Sequence, residues 1–299
     1  PSAAAVQCVS ALWHEGVEAR LATTDADGPG RLPVPTEAKT EYCDAPCVFF
    51  PRLPGESLKP SPALAKWLRR NVGSYDIVHV HSVFSHPSLA AGAVARHAGV
   101  PCVVRPLGQL DFWSLSQHAL RKKRFLFAGG RDLLERASAI HCTDSAERER
   151  APRFASALPS FVVPLGVDER LFALPEGAER EKVVLFLSRL HPKKNVARLI
   201  DAFVALGEMV AGWRLVIAGE GERDYVDALR ERAAGAGRRI AFAGWLSGEE
   251  KVRALHSAAL MVLASKQENF GIAVAEAMAA GLPVVVSEAV ALSGDVRRV

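Results

Sequence analysis

Nothing in the sequence is long and apolar enough to lie across a bilayer: no uninterrupted apolar run approaches the ~18–20 residues that a spanning helix needs. No basic-then-apolar leader opens the chain, so a cytoplasmic protein, at most peripheral at the inner face of the plasma membrane, is expected. Cysteine is sparse. The five residues Cys8, Cys43, Cys47, Cys102 and Cys142 are an odd number without paired spacing, which argues against a disulfide framework. Cys43 and Cys47 stand four apart, yet no second pair or nearby histidine completes a zinc site, and no metal ligand set is expected. Aromatics are only 7% of the residues and are not interleaved with basic ones, so no nucleic-acid partner is expected.

What is present is an ordinary globular composition, 49% apolar and 23% charged over 299 residues, enough for two α/β domains with separate cores. The net charge of +4 lies in the first half: residues up to Leu165 carry 19 Lys and Arg against 15 Asp and Glu, and the remainder 18 of each. That excess suits a domain meeting an anionic lipid or a lipid diphosphate, and equally a solvated basic face. Pro1 leads at once into helix-like text, and the chain stops at Val299 soon after a strand. The sequence therefore reads as a fragment cut at both ends.

Short β-rich runs alternate with helical runs, the pattern of a doubly wound parallel sheet. The first series has strands at Ala19–Thr23, Cys47–Phe50, Ile77–His81, Cys102–Arg105, Ala139–Thr143 and Phe161–Val163. Its helices are Pro62–Asn71, Pro87–His97, Leu115–Arg136 and Ser145–Ala155, and the Pro-rich stretch from Asp25 to Pro46 reads as a long surface loop. After the turn-rich segment Pro164–Gly177 a second series begins. Its strands are Val183–Ser188, Arg214–Ala218, Ile240–Ala243, Ala259–Leu263 and Pro283–Val286. Its helices are Val196–Leu206, Asp224–Ala234, Gly248–Ser257 and Gly271–Ala280. The fold expected is α/β, two Rossmann-like lobes with parallel sheets facing a cleft, divided as 1–165 and 166–299.

Two constellations carry chemistry. In Ser265-Lys-Gln-Glu-Asn-Phe-Gly-Ile-Ala-Val-Ala-Glu276 a strand ends, a polar loop follows and a helix opens near Gly271. A glycine there leaves the free N–H groups of the first turn open to a phosphate. Glu268 projects from the loop, and Glu276 lies two turns further on, placed by a helical wheel within about 80° of it. One carboxylate can meet sugar hydroxyls and the other a ribose; an acidic helix start and a solvated face are the competing reading. In Ser188-Arg-Leu-His-Pro-Lys-Lys-Asn195, at the end of another strand, Arg189 and Lys194 can converge on a diphosphate and stabilise the charge on a leaving nucleotide. Alone, that segment would read as a solvated basic loop.

Together the two segments resemble the donor domain of glycosyltransferase family four, the retaining GT-B (group 1) enzymes. Val216-Ile-Ala-Gly-Glu-Gly, Phe242-Ala-Gly-Trp-Leu and the linker Val163-Pro-Leu-Gly-Val-Asp168 extend the likeness. The resemblance implies an N-terminal acceptor domain lacking its first strand and a C-terminal nucleotide-sugar domain lacking its last part. It implies that Arg189 and Lys194 bind donor phosphates, with Ser188 and Gly219 beside them, and that Glu268 touches the donor sugar. Asn269 and the backbone amides of Phe270, Gly271 and Ile272 would lie near it, and Glu276 would hold the ribose. It further implies a UDP- or GDP-sugar donor, a glycan or lipid-linked acceptor, retention of anomeric configuration, no cofactor and no metal, and a place in bacterial surface-polysaccharide assembly.

The departures are in the first half. Arg105-Pro-Leu-Gly108 puts Leu107 where many members have a histidine, so an idle GT-B protein that binds a nucleotide sugar or a partner protein is the alternative. Gly219-Glu-Gly-Glu-Arg-Asp224 half-matches a dinucleotide fingerprint, with Asp224 in place of its third small residue, which disfavours a nicotinamide-dependent oxidoreductase. Asp25-Ala-Asp27 resembles a metal-binding carboxylate pair but sits in a Pro/Gly-rich loop. His79, His81 and His86 cluster at the end of a strand, His79 and His81 on one face by period two, and either line the cleft or are satisfied structural groups; Arg105 and Gly108 are further cleft candidates. Arg121-Lys-Lys-Arg124 followed by Phe125-Leu-Phe reads as a helix that rests on an anionic membrane surface or as a solvated face.

Overall fold

The computed structural model describes residues 2–28, 30–54, 58–149, 158–173 and 179–298. The chain divides into two compact units, Pro1–Gly166 and Val167–Val299.

In the first unit α1 (Ser2–His14) precedes β1 (Leu21–Thr24), β2 (Ala26–Asp27), β3 (Gly30–Arg31), β4 (Lys39–Tyr42) and β5 (Ala45–Phe50). Then come α2 (Pro62–Asn71), β6 (Val78–His81), α3 (His86–Ala98), β7 (Cys102–Arg105), α4 (Phe112–Ser116), α5 (Ala119–Phe125) and α6 (Arg131–Glu135). The unit ends with β8 (Ala139–Cys142), α7 (Ser145–Glu149) and β9 (Ser160–Val162). Strands β6-β7-β8-β9 form one parallel sheet, and β1-β5-β4 a second in which β1 and β5 are parallel. Val48 and Phe50 of β5 share one core with Val80, Val104 and Ile140 and with Leu64, Leu68 and Leu134 from the helices. Local chemistry sets the helix starts: Ser61 and Ser85 accept the N–H of Leu64 and Ser88, each at 3.2 Å, and each is followed within two residues by a proline.

Two expectations fail here, each for a local physical reason. The Asp25–Pro46 stretch is not a loop. The pair β2/β3 is an antiparallel hairpin, and β4 pairs antiparallel with β5 through a two-residue turn at Cys43 (φ 49) and Asp44 (φ 57). Positive φ at both turn residues matches the twist of the flanking strands, while the prolines dominate the local composition. Asp25 is buried and its carboxylate accepts the Arg52 N–H at 2.9 Å and Arg31 Nη1 at 3.2 Å, so it closes this hairpin onto β5. The long helix over Leu115–Arg136 is also broken. His118 adopts φ 52 between α4 and α5, and Gly129 adopts φ 122 between α5 and α6. The helix expected over Ser145–Ala155 is seen as α7, and its remainder lies outside the described residues, as does part of the Pro164–Gly177 segment.

The second unit alternates regularly. Strands β10 (Glu181–Leu187), β11 (Arg214–Ala218), β12 (Ile240–Gly244), β13 (Ala258–Leu263) and β14 (Val284–Val286) form one parallel sheet in the order β12-β11-β10-β13-β14. Between them run α8 (Val196–Ala205), α9 (Arg223–Ala233), α10 (Gly248–Ser257) and α11 (Ile272–Ala279), with α12 (Ser293–Val296) last. Leu185, Phe186, Leu215, Ile217, Met261 and Leu263 are buried at the sheet; strands covered on both faces read as near-continuous apolar runs, hence their legibility. Arg180 ties the helices down. Its Nη1 donates to the carbonyls of Leu255, His256 and Ala258, and its Nη2 to that of Ala280 at 2.8 Å. Among the described residues no helix is long and apolar enough to cross a membrane.

Candidate functional site

The second unit gathers the donor-type residues at the C-terminal ends of its strands. After β10, Ser188 donates its N–H to the Ala218 carbonyl at 3.1 Å and Leu190 donates to that of Glu220 at 2.7 Å. The segment bearing Arg189 thus runs hard against the glycine turn after β11. A Cβ on Gly219, where φ is +146, would collide with the Ser188 carbonyl oxygen and stand 2.9 Å from its carbon. The half-matched fingerprint has its physical reason here: the glycines let two backbone segments touch.

Lys194 ends a short 3₁₀ turn, and Asn195 with φ 59 starts α8. The Lys194 side chain is 9% exposed, and its Nζ contacts Glu268 Oε2, which is 15% exposed. Burial, with Lys193 and Arg189 adding like charge, pulls the ammonium down to about 7, while the Glu268 carboxylate in contact with it acts in the opposite direction. Arg189 is exposed and stands close enough to depress both Lys194 and His191. Three cations, Arg189, Lys193 and Lys194, and one carboxylate therefore share this corner.

Glu268 itself is fixed by the backbone, its N–H donating to Ala289 O at 3.0 Å. It stands outside the helix, because α11 begins at Ile272 after Gly271 (φ 86), so the helical-wheel placement of Glu268 against Glu276 does not hold. A Cβ at Gly271 would meet Val290 Cγ1 at 3.0 Å, so glycine is required both by the left-handed backbone and by the space. The first amides of α11 have no intrahelical acceptor. Phe270 is buried, so only its backbone can face a ligand, and Asn269 lies in the same loop. Glu276, mid-helix and 8% exposed, accepts a 2.6 Å hydrogen bond from Lys251 Nζ of α10. Sequence reading missed Lys251; its one signal is a lysine in the first turn of a helix whose other first-turn charges are the acids Glu249 and Glu250.

In the first unit His79, His81 and Arg105 also come together, at the C-terminal ends of β6 and β7, where His81 pairs in register with Arg105. A third histidine joins them. His141 Nδ1 lies 3.2 Å from His79 Nε2, and its Nε2 lies 2.9 Å from Val163 O. Burial, then His141 and Arg105, lowers His79 to about 4; burial, then chiefly His79 and Arg105, lowers His81 to about 3. Both are neutral rings near neutral pH, not standing cations. Gly108 (φ 74) follows Leu107 (φ 54), and Glu147 of α7 holds that turn: one carboxylate oxygen takes the Gly108 N–H, the other the N–H and hydroxyl of Thr143, each at 2.7 Å. Among the described residues no group of three His, Cys, Asp or Glu is placed to hold a metal ion.

Two α/β units with parallel sheets, and a basic and acidic corner at the strand ends of the second, define the class. Residues 1–166 match the glycosyl transferase 4-like domain and residues 169–295 the glycosyl transferases group 1 domain, so the chain belongs to the group 1, family-four type of glycosyltransferases. Among its relatives is the GDP-mannose-dependent alpha-(1-6)-phosphatidylinositol dimannoside mannosyltransferase of Mycobacterium tuberculosis, 33% identical over 68% of this chain and 55% of that protein. Another is the UDP-Gal:alpha-D-GlcNAc-diphosphoundecaprenol alpha-1,3-galactosyltransferase of Escherichia coli, 26% identical over 78% of this chain and 62% of that one. The chain thus spans little more than half the length of these curated relatives. The GT-B fold is shared with the sucrose-phosphate synthase of Thermosynechococcus elongatus, with a TM-score of 0.69 at 21% identity over 96% of this chain and 75% of that one. Anabaena HepE, solved in complex with UDP and glucose, gives a TM-score of 0.66 at 22% identity over 84% of this chain and 70% of that one.

Proposed function

We propose that the protein transfers a sugar from a UDP- or GDP-sugar to a glycan or lipid-linked acceptor, with retention of configuration and without a bound metal, in bacterial surface-polysaccharide assembly. The observation that carries this reading is the Lys194–Glu268 contact beside the glycine-started helix α11. A donor diphosphate competes with Glu268 for Lys194. Winning it, the diphosphate gains an ammonium, the nearby Arg189 and the first amides of α11, which stabilise the charge that develops as the nucleotide leaves. The displaced Glu268 carboxylate is then available to the hydroxyls of the sugar, and Glu276 takes those of the ribose. A cationic clamp of this kind supplies what a divalent metal supplies in other transferases. The domain assignment follows from it, with the donor site in the second unit and the acceptor site in the first. The relatives support the donor class: one is GDP-mannose-dependent, and a structural neighbour was solved with UDP and glucose.

The test is a thermal-unfolding titration with UDP, GDP and NAD, with and without EDTA. A ligand bound only by the native state raises the midpoint as its concentration passes its Kd, by about 2.7 kcal/mol of stability at a hundred times Kd. UDP or GDP is expected to raise the midpoint in EDTA, NAD to leave it unchanged, and Glu276→Ala to reduce the shift. A folded protein that no nucleotide stabilises would end the reading.

An anionic bilayer as the acceptor's setting is supported by the first unit. Phe112, Leu120 and Phe127 are 86%, 80% and 95% exposed, with Arg121, Lys123 and Arg124 exposed among them and no acid between Asp111 and Asp132. Apolar side chains enter the headgroup boundary while each nearby cation adds about 1 kcal/mol on an anionic leaflet. Co-sedimentation is expected with phosphatidylglycerol vesicles and not with phosphatidylcholine ones, and the pair Leu120→Ser with Phe127→Ser should cut it at least tenfold. Equal binding of the double variant would remove this face from the membrane.

A further inference from the structure

The carboxylate of Glu276 is held by one oxygen only. Lys251 Nζ donates to Oε1, and among the described residues Oε2 has no hydrogen-bond partner. A carboxylate this buried needs a partner to hold its position. Lys251 supplies the partner from a neighbouring helix, and its own side chain is 24% exposed, so the pair sits at the edge of solvent with one acceptor oxygen unspent. The far side of Lys251 is also negative. Asp168 lies near enough for the lysine to contribute, after the hydrogen bonds from Arg170, to holding its carboxyl below the usual range. Arg170 in turn binds Asp168 and Glu249, each at 2.6 Å. Lys251 is therefore seated between carboxylates, and of these it touches Glu276.

We propose that Lys251 is a positioning residue for the nucleotide, fixing the rotamer of Glu276 so that its second oxygen meets the ribose hydroxyls of the donor. This rests on the donor-site reading above and adds to it a residue on α10. With the ammonium on Oε1, the carboxylate plane is set before ligand arrives, so little is lost in ordering it. Nothing in this role touches the sugar or the leaving phosphate, so it acts on affinity and leaves chemistry alone.

The experiment compares Lys251→Met, Lys251→Arg and Glu276→Ala, using whichever of UDP or GDP the wild type binds, alongside its 2′,3′-dideoxy form. The wild type is expected to prefer the ribonucleotide. Lys251→Met should raise its Kd about tenfold and leave the dideoxynucleotide within twofold, so the preference collapses; Lys251→Arg should restore most of it. In turnover, KM for the donor rises and kcat stays within twofold. Where the methionine variant does not fold, Lys251→Leu is read in the same way. A Lys251→Met protein that keeps the preference, while Glu276→Ala loses it, overturns the proposal and leaves the ribose role of Glu276 standing. Equal weakening of both nucleotides also overturns it, since that is the mark of a general structural loss. A wild type indifferent to the ribose hydroxyls overturns the Glu276 reading and this proposal together.

Discussion

Lys194→Ala is expected to lower kcat by about a hundredfold to a thousandfold at saturating donor, the loss typical when one charge-stabilising group is taken from a transition state. The side chain is 9% exposed and already in contact with a carboxylate, so it is a placed charge, not a solvated one. Its ammonium costs most to bury when no phosphate is near, which is why burial, Lys193 and Arg189 draw it down to about 7. Under the proposed clamp an arriving diphosphate reverses that balance, and the interaction strengthens as charge builds on the leaving group. Lys194→Arg should fall between wild type and alanine, because a planar fork does not reproduce a point charge on a flexible stem. Folding should suffer less than turnover: Glu268 loses its partner but keeps some contact with solvent. Initial-rate kinetics on an active form of the protein, beside urea midpoints of both variants, measure the two effects. Unchanged kcat in the alanine variant would sink the clamp.

The second large effect concerns the backbone. Gly219→Ala is expected to destabilise the second unit by roughly 4 kcal/mol or more, or to prevent its folding, by overpacking and backbone strain together. At φ +146 an alanine is strained before any contact is considered, and its Cβ would overlap the carbonyl oxygen of Ser188. The Gly219 N–H is already committed to Gly244 O at 2.6 Å, so the turn cannot slide away without breaking the link to β12. Relief would have to come from moving the segment that carries Arg189. Gly235→Ala, with nothing within 4 Å of its Cβ, is the matched control and should stay within about 1 kcal/mol. Equal urea midpoints for the two variants would show that the strand ends have room for a Cβ at Gly219.

The alternating strands and helices were legible because buried parallel strands are apolar along their whole length, and most ends fall within a residue or two of expectation. The failures have local causes. Prolines hid a hairpin whose turn is made by Cys43 and Asp44, and a helical pattern ran through His118 and Gly129, where the backbone turns left-handed. At the candidate site, residue types and spacing pointed to Arg189, Lys194, Glu268 and Glu276. What they hold was not readable. Lys194 and Glu268 are 74 residues apart, Lys251 and Glu276 are 25 apart, and His141 reaches His79 across 62. Such pairings are set by strand order in the sheet, which no local periodicity encodes.

The grip of Arg180 on four carbonyls bears on how this unit can change over time. One guanidinium secures the far ends of α10 and α11, the two helices that bring Lys251 and Glu276 into contact. Their spacing is thus set from below, at the end opposite the strand-end loops. Changes in the length and composition of those loops therefore leave the frame beneath with its dimensions. The rim of the unit can be rebuilt by substitution without rebuilding the frame that carries it.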